Sequence, residues 1–290
     1  MIGALVMARF DLQNKNNNPG PLFVDTSCID CGTCFHIAPE IFHEQNNLSI
    51  VNRQPEGLSE WTQAKEAILS CPTTSIGVQN PPQEFKSAPL TLPRHITDEI
   101  YFCGYTSADS YGATAYLIKT PEGNILIDSP RFNTHLANEI EKIGGVKWMF
   151  LSHQDDVADH KKFREYFNCT RIIHKNDLQE GTKGCELVLD GEENFELTPE
   201  IQIIPTPGHT RGHMVLLYKN KFLFTGDHLF YDADHSKIYA SKSVNWYSWS
   251  EQLQSIRKLI SLNVDWIFPG HGGWFQVGSE KFKNDLERIS

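Results

Sequence analysis

Alternating strands and amphipathic helices are predicted from residue 95 onward. Apolar runs of strand length comprise EIYFCGY, ATAYLIK, NILID, WMFLS, TRIIH, IQIIP, HMVLLYK, KFLFTG and DWIFP. Apolar positions at helical spacing predict helices over residues 135–143, 161–167 and 251–262. Hairpins mixed with strand–helix–strand units indicate two packed sheets with helices outside them.

The first ninety residues have a different pattern. The segment SEWTQAKEAILSCP predicts a helix with Ser59 as N-cap and an apolar face that includes Trp61 and Ala64. A proline-rich stretch over residues 81–94 has no periodicity and predicts a linker. The polar patch NKNNNPGP indicates a disordered extension over residues 1–20. The predicted domains are therefore residues 21–80 and residues 95–290.

Charge narrows the range of partners. The chain has 290 residues and a net charge of −10, which argues against nucleic acid or an anionic membrane as the partner. No apolar run reaches the roughly 18 residues that a membrane span needs, and no secretory signal is evident, so a cytoplasmic protein is expected. Residues 21–88 contain eight acidic and three basic side chains. This acidic surface predicts docking of a positively charged redox partner.

Four of the seven cysteines are grouped, as Cys28, Cys31 and Cys34 with a distant Cys71 that precedes Pro72. An odd number of cysteines without a secretory signal argues against a disulfide framework. Zinc is an alternative, because paired thiolates make tetrahedral zinc sites. Three cysteines within seven residues favour an iron–sulfur cluster, and the remaining Cys–Pro supplies its fourth ligand. The other cysteines are interpreted as ordinary buried thiols.

The stretches CIDCGTC, APEIF and SCPTTSIG resemble the single-cluster bacterial ferredoxins over about residues 21–80. The resemblance implies an α+β ferredoxin-like domain in which the four grouped cysteines ligate one 4Fe–4S cluster. Ala38 and Pro39 stand where a two-cluster ferredoxin has a further cysteine. Because Cys31 is a cysteine and not an aspartate, the resemblance implies a complete four-iron cluster.

Four polar motifs follow apolar strands in the larger domain: SHQDDVADH, TPGHTRGH, FTGD and FPGH. Each places a histidine or an aspartate just beyond a strand, where loops carry chemistry on such scaffolds. One such motif alone is weak, but four in one chain indicate a metal site. A relic that binds no metal is the alternative, although it would have little reason to retain seven potential ligands.

These motifs resemble the metallo-β-lactamase fold family over about residues 95–290, which implies an αββα sandwich with a metal site on one edge. Carried over residue by residue, His209 belongs to one metal, Asp227 bridges two and acts in catalysis, and His271 belongs to the second. Asp128 in ILIDSP matches a buried acid at the end of an early strand. The cofactors implied are two divalent metal ions, which are either zinc or one of the alternatives iron and manganese.

The loop motif departs from the family pattern H-x-H-x-D-H. His153 matches its first position, Asp155 stands where the second histidine is expected, and Asp159 with His160 match the final pair after a two-residue insertion. This alignment makes all four of them metal ligands and gives Asp159 a catalytic role. Asp156 is a rival ligand, because on a helix that starts at this residue its side chain would lie on the same face as that of His160. A carboxylate in place of an imidazole favours iron or manganese over zinc.

Three functions are compatible with this sequence. The resemblance favours a metal-dependent hydrolase of an ester, thioester, lactone or phosphoester small molecule. An alternative is a di-iron oxidoreductase that receives electrons from the cluster. The flavodiiron branch of the same family is redox-active, carries an acid in the same loop and holds two irons, although this chain lacks its flavodoxin domain. The third is an electron carrier whose larger domain only docks a partner. Trp246 and Tyr247 either line a substrate pocket or pack beneath the last predicted helix, and His213 is interpreted as a structural partner.

Overall fold

The N-terminal domain consists of short strands around two helices, and a third helix follows them in the connecting segment. The computed structural model describes residues 8–290. Strand β1 pairs with β4 and β2 pairs with β3, both in antiparallel fashion. In chain order its elements are β1 (Leu22–Val24), α1 (Thr33–Ile37), β2 (Phe42–Glu44), β3 (Ser49–Val51), α2 (Gly57–Ser70), β4 (Ile76–Val78) and α3 (Gln83–Ser87).

Helix α2 delivers the last of the grouped cysteines. It buries Trp61, Ala64 and Ala67 on one face, as the helical spacing predicts. Glu56 is its N-cap residue, so Ser59 lies inside the first turn and the predicted cap was wrong. Cys71 follows the helix directly as its C-cap, because Pro72 cannot continue the backbone hydrogen bonds.

The segments predicted as disordered and as a linker are both structured. Residues 8–20 contain a 3₁₀ turn over Phe10–Leu12, and Asn14 donates its backbone N–H to the carbonyl of Val24 at 2.8 Å. The prediction of disorder is therefore wrong for residues 8–20, and residues 1–7 lie outside the described residues. Residues 81–94 include α3, and Leu92 is buried, because this segment packs against both domains.

Two sheets form the larger domain. In the first, neighbouring strands follow the order β11-β10-β9-β8-β7-β6-β5. The pairs from β5 to β8 are antiparallel and those from β8 to β11 are parallel. Its strands are β5 (Arg94–Thr97), β6 (Ile100–Phe102), β7 (Tyr116–Ile118), β8 (Ile125–Ile127), β9 (Trp148–Phe150), β10 (Thr170–His174) and β11 (Leu187–Leu189).

The second sheet is mostly antiparallel, with the order β12-β13-β14-β15-β18-β19 and one parallel pair between β15 and β18. Its strands are β12 (Phe195–Thr198), β13 (Ile201–Pro205), β14 (Met214–Tyr218), β15 (Phe222–Gly226), β18 (Trp266–Pro269) and β19 (Phe275–Gln276). A separate hairpin consists of β16 (Phe230–Asp232) and β17 (Lys237–Tyr239). The helices are α4 (Thr134–Ile143), α5 (His160–Phe167), α6 (Trp249–Leu259) and α7 (Ser279–Ile289).

Alternate residues of the strands enter different cores. In β7, Tyr116 and Ile118 pack between the two sheets, whereas Leu117 points to the opposite face, as the two-residue period of a strand requires. Helices α6 and α7 cover the outer face of the second sheet. The helices outside and the two sheets inside give four layers.

The outer face of the first sheet is covered by α4, α5 and the N-terminal domain together. Leu117 on this face belongs to the same buried cluster as Trp61 of α2 and Leu92 of the connecting segment. We call this cluster the shared core. Further bonds join the domains: the Thr106 hydroxyl donates to the carbonyl of Ser70 at 2.6 Å. The two domains therefore pack as one unit.

Candidate metal centre

The polar motifs meet at one edge of the sandwich. The loop 151–159 follows β9, the turn from Thr206 follows β13, and Asp227 comes directly after β15. His271 follows β18, which pairs in parallel with β15, so both strands end at the same edge. The topology thus gathers side chains that are far apart in sequence.

A first group of donors is formed by His153, Asp155 and His209. The Asp155 Oδ2 lies 3.8 Å from His153 Nε2 and 3.6 Å from His209 Nε2. Both imidazoles are fully buried, and burial lowers the pKa of His153 to about 4. A neutral imidazole has a lone pair to offer, so these rings are suited to bind a cation.

Asp227 lies at the centre of the site. Its Oδ2 is 4.0 Å from His153 Nε2, 3.8 Å from His209 Nε2 and 3.5 Å from His271 Nε2. A single carboxylate thus faces histidines of three different motifs. One ion held with His209 and another held with His271 would share this carboxylate.

Asp156 supplies a third carboxylate from the loop. It forms a possible metal-binding group with His153 and Asp227, and it is almost completely buried. Burial, followed by the charges of Asp227 and Asp128, raises the pKa of Asp156 well above its usual range. A cation beside these carboxylates would remove that penalty.

Gly270 leaves the room that this arrangement needs. A Cβ atom at this position would lie 2.7 Å from Asp227 Oδ1 and 3.1 Å from Asp156 Oδ2. The glycine of FPGH therefore lets the chain pass close to two carboxylates. A side chain here would close the space between them.

The donor set fits divalent cations. The buried atoms His153 Nε2, His209 Nε2, Asp156 Oδ2 and Asp227 Oδ1 have no hydrogen-bond partner within the described residues. Leaving such polar atoms buried and unpaired is costly, and buried charges are normally paired or bind metals. Three imidazoles and three carboxylates suit iron, manganese or zinc.

Neighbouring side chains fix the orientation of the ligands. Ser152 Oγ lies 2.9 Å from His153 Nδ1, which leaves Nε2 pointing to the site. Asp128 accepts the backbone N–H of Ser152 at 2.8 Å, and its φ of 55° is in the left-handed region. Burial outweighs this hydrogen bond and raises the pKa of Asp128 to about 7.

His213 has a structural position, as interpreted from the sequence. Its Nδ1 lies 3.0 Å from the Thr206 hydroxyl, and its Nε2 accepts the backbone N–H of Asp227 at 3.3 Å. Burial lowers its pKa well below the usual value. Both ring nitrogens are therefore occupied, and the ring holds Asp227 in place.

Asp159 and His160 do not join the site, which corrects the alignment made from the sequence. Asp159 Oδ2 accepts the backbone N–H of Phe132 at 2.8 Å, and its Oδ1 pairs with Lys162. His160 Nδ1 accepts a hydrogen bond from Arg171 at 3.1 Å. Burial and the Arg171 charge lower the pKa of His160 to about 4. Asp159 is the N-cap of helix α5 and His160 is its first residue, and neither belongs to the groups of donors that could hold a metal ion within the described residues.

The four grouped cysteines surround a small cavity in the N-terminal domain. Cys28, Cys31, Cys34 and Cys71 all line it. The Ser75 N–H donates to Cys71 Sγ at 3.2 Å, and the N–H groups of Asp30 and Ser49 donate to Cys28 Sγ at 3.4 Å. Such bonds stabilise the thiolates of an iron–sulfur cluster and tune its potential. These residues therefore fit a cluster.

A cavity of about 1290 Å³ lies between the cysteine loop and the metal centre. Cys31 and His36 of the N-terminal domain line one side, whereas Asp155, Asp227 and His271 line another. Tyr111 crosses between them, because its hydroxyl donates to the Ile29 carbonyl at 2.5 Å while its ring lies 6.4 Å from that of His271. The domain contact thus contributes to the candidate site.

Sequence reasoning missed the contribution of the N-terminal domain to this cavity. Phe35 and His36 line it, but no motif links them to the larger domain. Trp246, for which a pocket role was left open, lines the cavity as well, whereas Tyr247 lines a separate one. Such placements depend on how the domains pack, which a local sequence pattern does not encode.

Two family models match the chain. The 4Fe-4S single cluster domain of ferredoxin I matches residues 24–78. The metallo-beta-lactamase superfamily matches residues 109–271, which is more than half of the chain. The fold class expected from the sequence is confirmed. No helix within the described residues is long and apolar enough to cross a membrane.

Two relatives of known name each match a little more than half of this chain. A probable metallo-hydrolase of Methanocaldococcus jannaschii is 30% identical over 195 residues, which cover 56% of this chain and 88% of the relative. Hydroxyacylglutathione hydrolase of Citrobacter koseri is 29% identical over 154 residues, covering 52% of this chain and 57% of that enzyme. The chain thus spans little more than half of the second relative.

Solved structures show the same fold at low identity. VMB-1 has a TM-score of 0.51 and 17% identity, with 67% of this chain and 94% of that chain covered. The metallo-beta-lactamase FIM-1 from Pseudomonas aeruginosa, in a mono-zinc form, has a TM-score of 0.50 and 18% identity, with 67% and 93% covered. These likenesses concern the fold alone.

Proposed function

This chain belongs to the metallo-beta-lactamase superfamily and carries a 4Fe-4S single-cluster domain, and on that premise we propose that it is a metal-dependent hydrolase of an ester or thioester. The observation that carries the proposal is the position of Asp227, whose Oδ2 lies within 4.0 Å of three histidine Nε2 atoms. Its metallo-hydrolase relatives support the same class of reaction.

The ligands divide into two sets that share Asp227. His153, Asp155 and His209 would hold one divalent ion, and Asp156 with His271 would hold the other. Ions bound there would act as Lewis acids on the substrate and lower the pKa of a water molecule. The three carboxylates offset most of the charge of two divalent ions, which favours retention of both in a partly buried site.

Neighbouring residues orient the metal ligands, and the exposure of the ligands indicates which of them a substrate can reach. Ser152 and His213 keep the ligand atoms aimed at one point through their hydrogen bonds. Asp155 is the ligand most open to the cavity, with 41% of its side chain exposed against 10% for Asp227. A substrate would therefore find Asp155 the most accessible of the metal ligands.

Metal analysis and hydrolysis together test the proposal. The full chain, purified without air, is assayed for metal content and for hydrolysis of p-nitrophenyl acetate, a thioester and bis(p-nitrophenyl) phosphate. We expect metal in excess of the cluster irons and turnover of the ester or thioester. His209→Ala should lower that turnover by roughly a hundredfold. Asp159→Asn is the matched control and should retain metal and activity.

Two results would refute the proposed function. If the chain binds no metal beyond the cluster, or if His209→Ala hydrolyses as fast as the parent, the proposed function is wrong. If the chain hydrolyses only the phosphodiester, the reaction is still metal-dependent hydrolysis, but the substrate class is a phosphoester.

A second function is favoured by one observation: Cys31 and His271 line the same cavity. Electron transfer from the cluster to iron at the second site is the alternative proposal, with a positively charged donor docking on the acidic N-terminal domain. More than four irons per chain, together with reoxidation of the reduced cluster by the second site, would favour it. Four irons and about two zinc ions would favour hydrolysis.

A further inference from the structure

Six aromatic side chains face the interdomain cavity. We call them the aromatic wall, and its most exposed members are Trp246 at 66%, Tyr111 at 56% and Tyr239 at 38%. They come from both domains and from the β16–β17 hairpin. The full set is Phe35, Tyr111, Phe230, Tyr231, Tyr239 and Trp246.

Two rings of this wall stand beside opposite ends of the metal centre. The Trp246 ring lies 6.2 Å from the ring of His209, and its backbone N–H donates to the His209 carbonyl at 3.0 Å. The Tyr111 ring lies 6.4 Å from the ring of His271. A substrate whose reacting group sits at Asp227 would therefore have aromatic surface on both sides.

Exposed rings that converge in a concave site next to reactive groups are a feature of ligand pockets. Single exposed apolar residues elsewhere need no explanation. Here the exposed rings share one cavity, so their faces can cover a flat apolar group of a ligand by stacking. This geometry points to a substrate with such a group.

The charge of the cavity disfavours anionic substrates. Beyond the metal ligands, Asp30, Asp109 and Asp232 line it, whereas Lys237 is its one lysine. Lys237 Nζ lies 3.9 Å from Asp232 Oδ2, so its charge is partly compensated there. The thiolates of a cluster at Cys31 would add further negative charge. An anionic substrate would meet repulsion on its approach.

We propose that this cavity selects uncharged or cationic esters and thioesters that carry a flat apolar group, and that it discriminates against anionic ones. This inference rests on the proposed hydrolase function. It differs from a preference for glutathione thioesters, whose thiol portion carries a net negative charge.

Four thioesters separate the two effects. S-phenylacetyl-N-acetylcysteamine is uncharged and aromatic, S-phenylacetylglutathione keeps the acyl group but is anionic, and the two corresponding acetyl thioesters lack the ring. Each kcat/KM is divided by the rate of alkaline hydrolysis, which removes differences in intrinsic reactivity. We expect the uncharged phenylacetyl thioester to exceed both its acetyl and its glutathione counterparts by about tenfold.

Variants test which residues cause the aromatic preference and the discrimination against anionic substrates. Trp246→Ala should lower the phenylacetyl preference by about tenfold, whereas Tyr247→Ala, an exposed neighbour outside this cavity, should leave it unchanged. Asp109→Asn should raise kcat/KM for the glutathione thioester about two- to threefold at low salt. Glu165→Gln, on the outer side of α5, is the matched charge control and should have no effect.

Binding gives a readout that does not depend on turnover. Titration calorimetry with the uncleavable thioethers S-phenethyl-N-acetylcysteamine and S-phenethylglutathione should show tighter binding of the uncharged one, and Trp246→Ala should weaken it. Hydrolysis of all four thioesters without a preference, or equal binding of both thioethers, overturns the inference and leaves the hydrolase intact. No hydrolysis of p-nitrophenyl acetate or of any thioester overturns the proposed function, and the thioether titration then decides the inference alone.

Discussion

Gly112 permits the cysteine loop to lie against the sandwich, and its replacement by alanine should destabilise the chain. A Cβ atom at Gly112 would lie 2.7 Å from Cys31 Cβ and 2.9 Å from Cys31 Sγ. Its φ of 83° is in the left-handed region. Thr33 also donates its hydroxyl to the Gly112 carbonyl at 3.3 Å, so the loop has little freedom to retreat.

The magnitude follows from two separate costs. A left-handed conformation costs an alanine about 1–2 kcal/mol, and overpacking a buried contact costs about 1–3 kcal/mol. Gly112→Ala should therefore lower the free energy of unfolding by about 2–5 kcal/mol. Because the clash falls on Cys31, the visible absorption of the cluster should also fade faster in air.

Two other glycines separate these costs. Gly57 has a φ of 68° but no atom within 4 Å of a new Cβ, so Gly57→Ala should cost about 1–2 kcal/mol from the backbone alone. Gly181 has neither a crowded Cβ position nor a positive φ, so its alanine variant should be near neutral. Denaturant unfolding measures all three. Equal losses for Gly112→Ala and Gly57→Ala would refute the steric argument.

Three further predictions concern the cluster, the metal ligands and acid stability. Cys71→Ser should abolish or weaken the cluster absorption whereas Cys185→Ser should not, and the reverse result would displace the cluster. Asp156→Ala should lower the metal content determined by elemental analysis, while Asp159→Asn should not; equal losses would return Asp159 to the site. Burial alone would raise the pKa of Glu186, but hydrogen bonds from two arginines lower it to about 2. The stabilising contribution of the Glu186 carboxylate is therefore complete above its usual pKa of 4.5 and disappears as the pH falls towards 2. The difference in unfolding free energy between the parent and Glu186→Gln, measured by denaturant unfolding, should shrink over that range. A difference that stays constant with pH would contradict this prediction.

Much of the sandwich could be predicted, because its strands are continuous apolar runs buried on both faces. Strand β14, for example, is buried at every position from Met214 to Tyr218. Helix α7 was missed, although Phe282 and Leu286 are its buried contacts. Only the packing of α7 against the second sheet shows which of its many polar residues face solvent.

The loop after β9 shows where a motif misleads. Anchoring the family pattern at both ends placed Asp159 and His160 among the ligands and left Asp156 as a rival. In the structure Asp155 and Asp156 both enter the site, because α5 begins only at His160. The side chain of Asp159 binds backbone instead. An insertion shifts the start of a helix, and this shift cannot be read from residue types.

The acidic docking surface and the identity of the metals stay predictions. The charge of residues 21–88 is a property of the sequence and does not show which partner binds there. The carboxylate-rich donor set gives only a weak preference for iron or manganese over zinc. Metal analysis decides the second point. Salt dependence of cluster reduction by a basic donor protein decides the first.

The shared core links cluster assembly to the stability of the whole chain. Trp61 and Leu92 pack in the same buried cluster as Leu117 of the sandwich, so the N-terminal domain cannot open without exposing the sheet. Binding of a cofactor to the folded chain adds its free energy to folding. A chain that has not received its irons is less stable throughout, and cellular proteases remove such chains first. Iron supply would then set the abundance of the whole chain without any dedicated regulator.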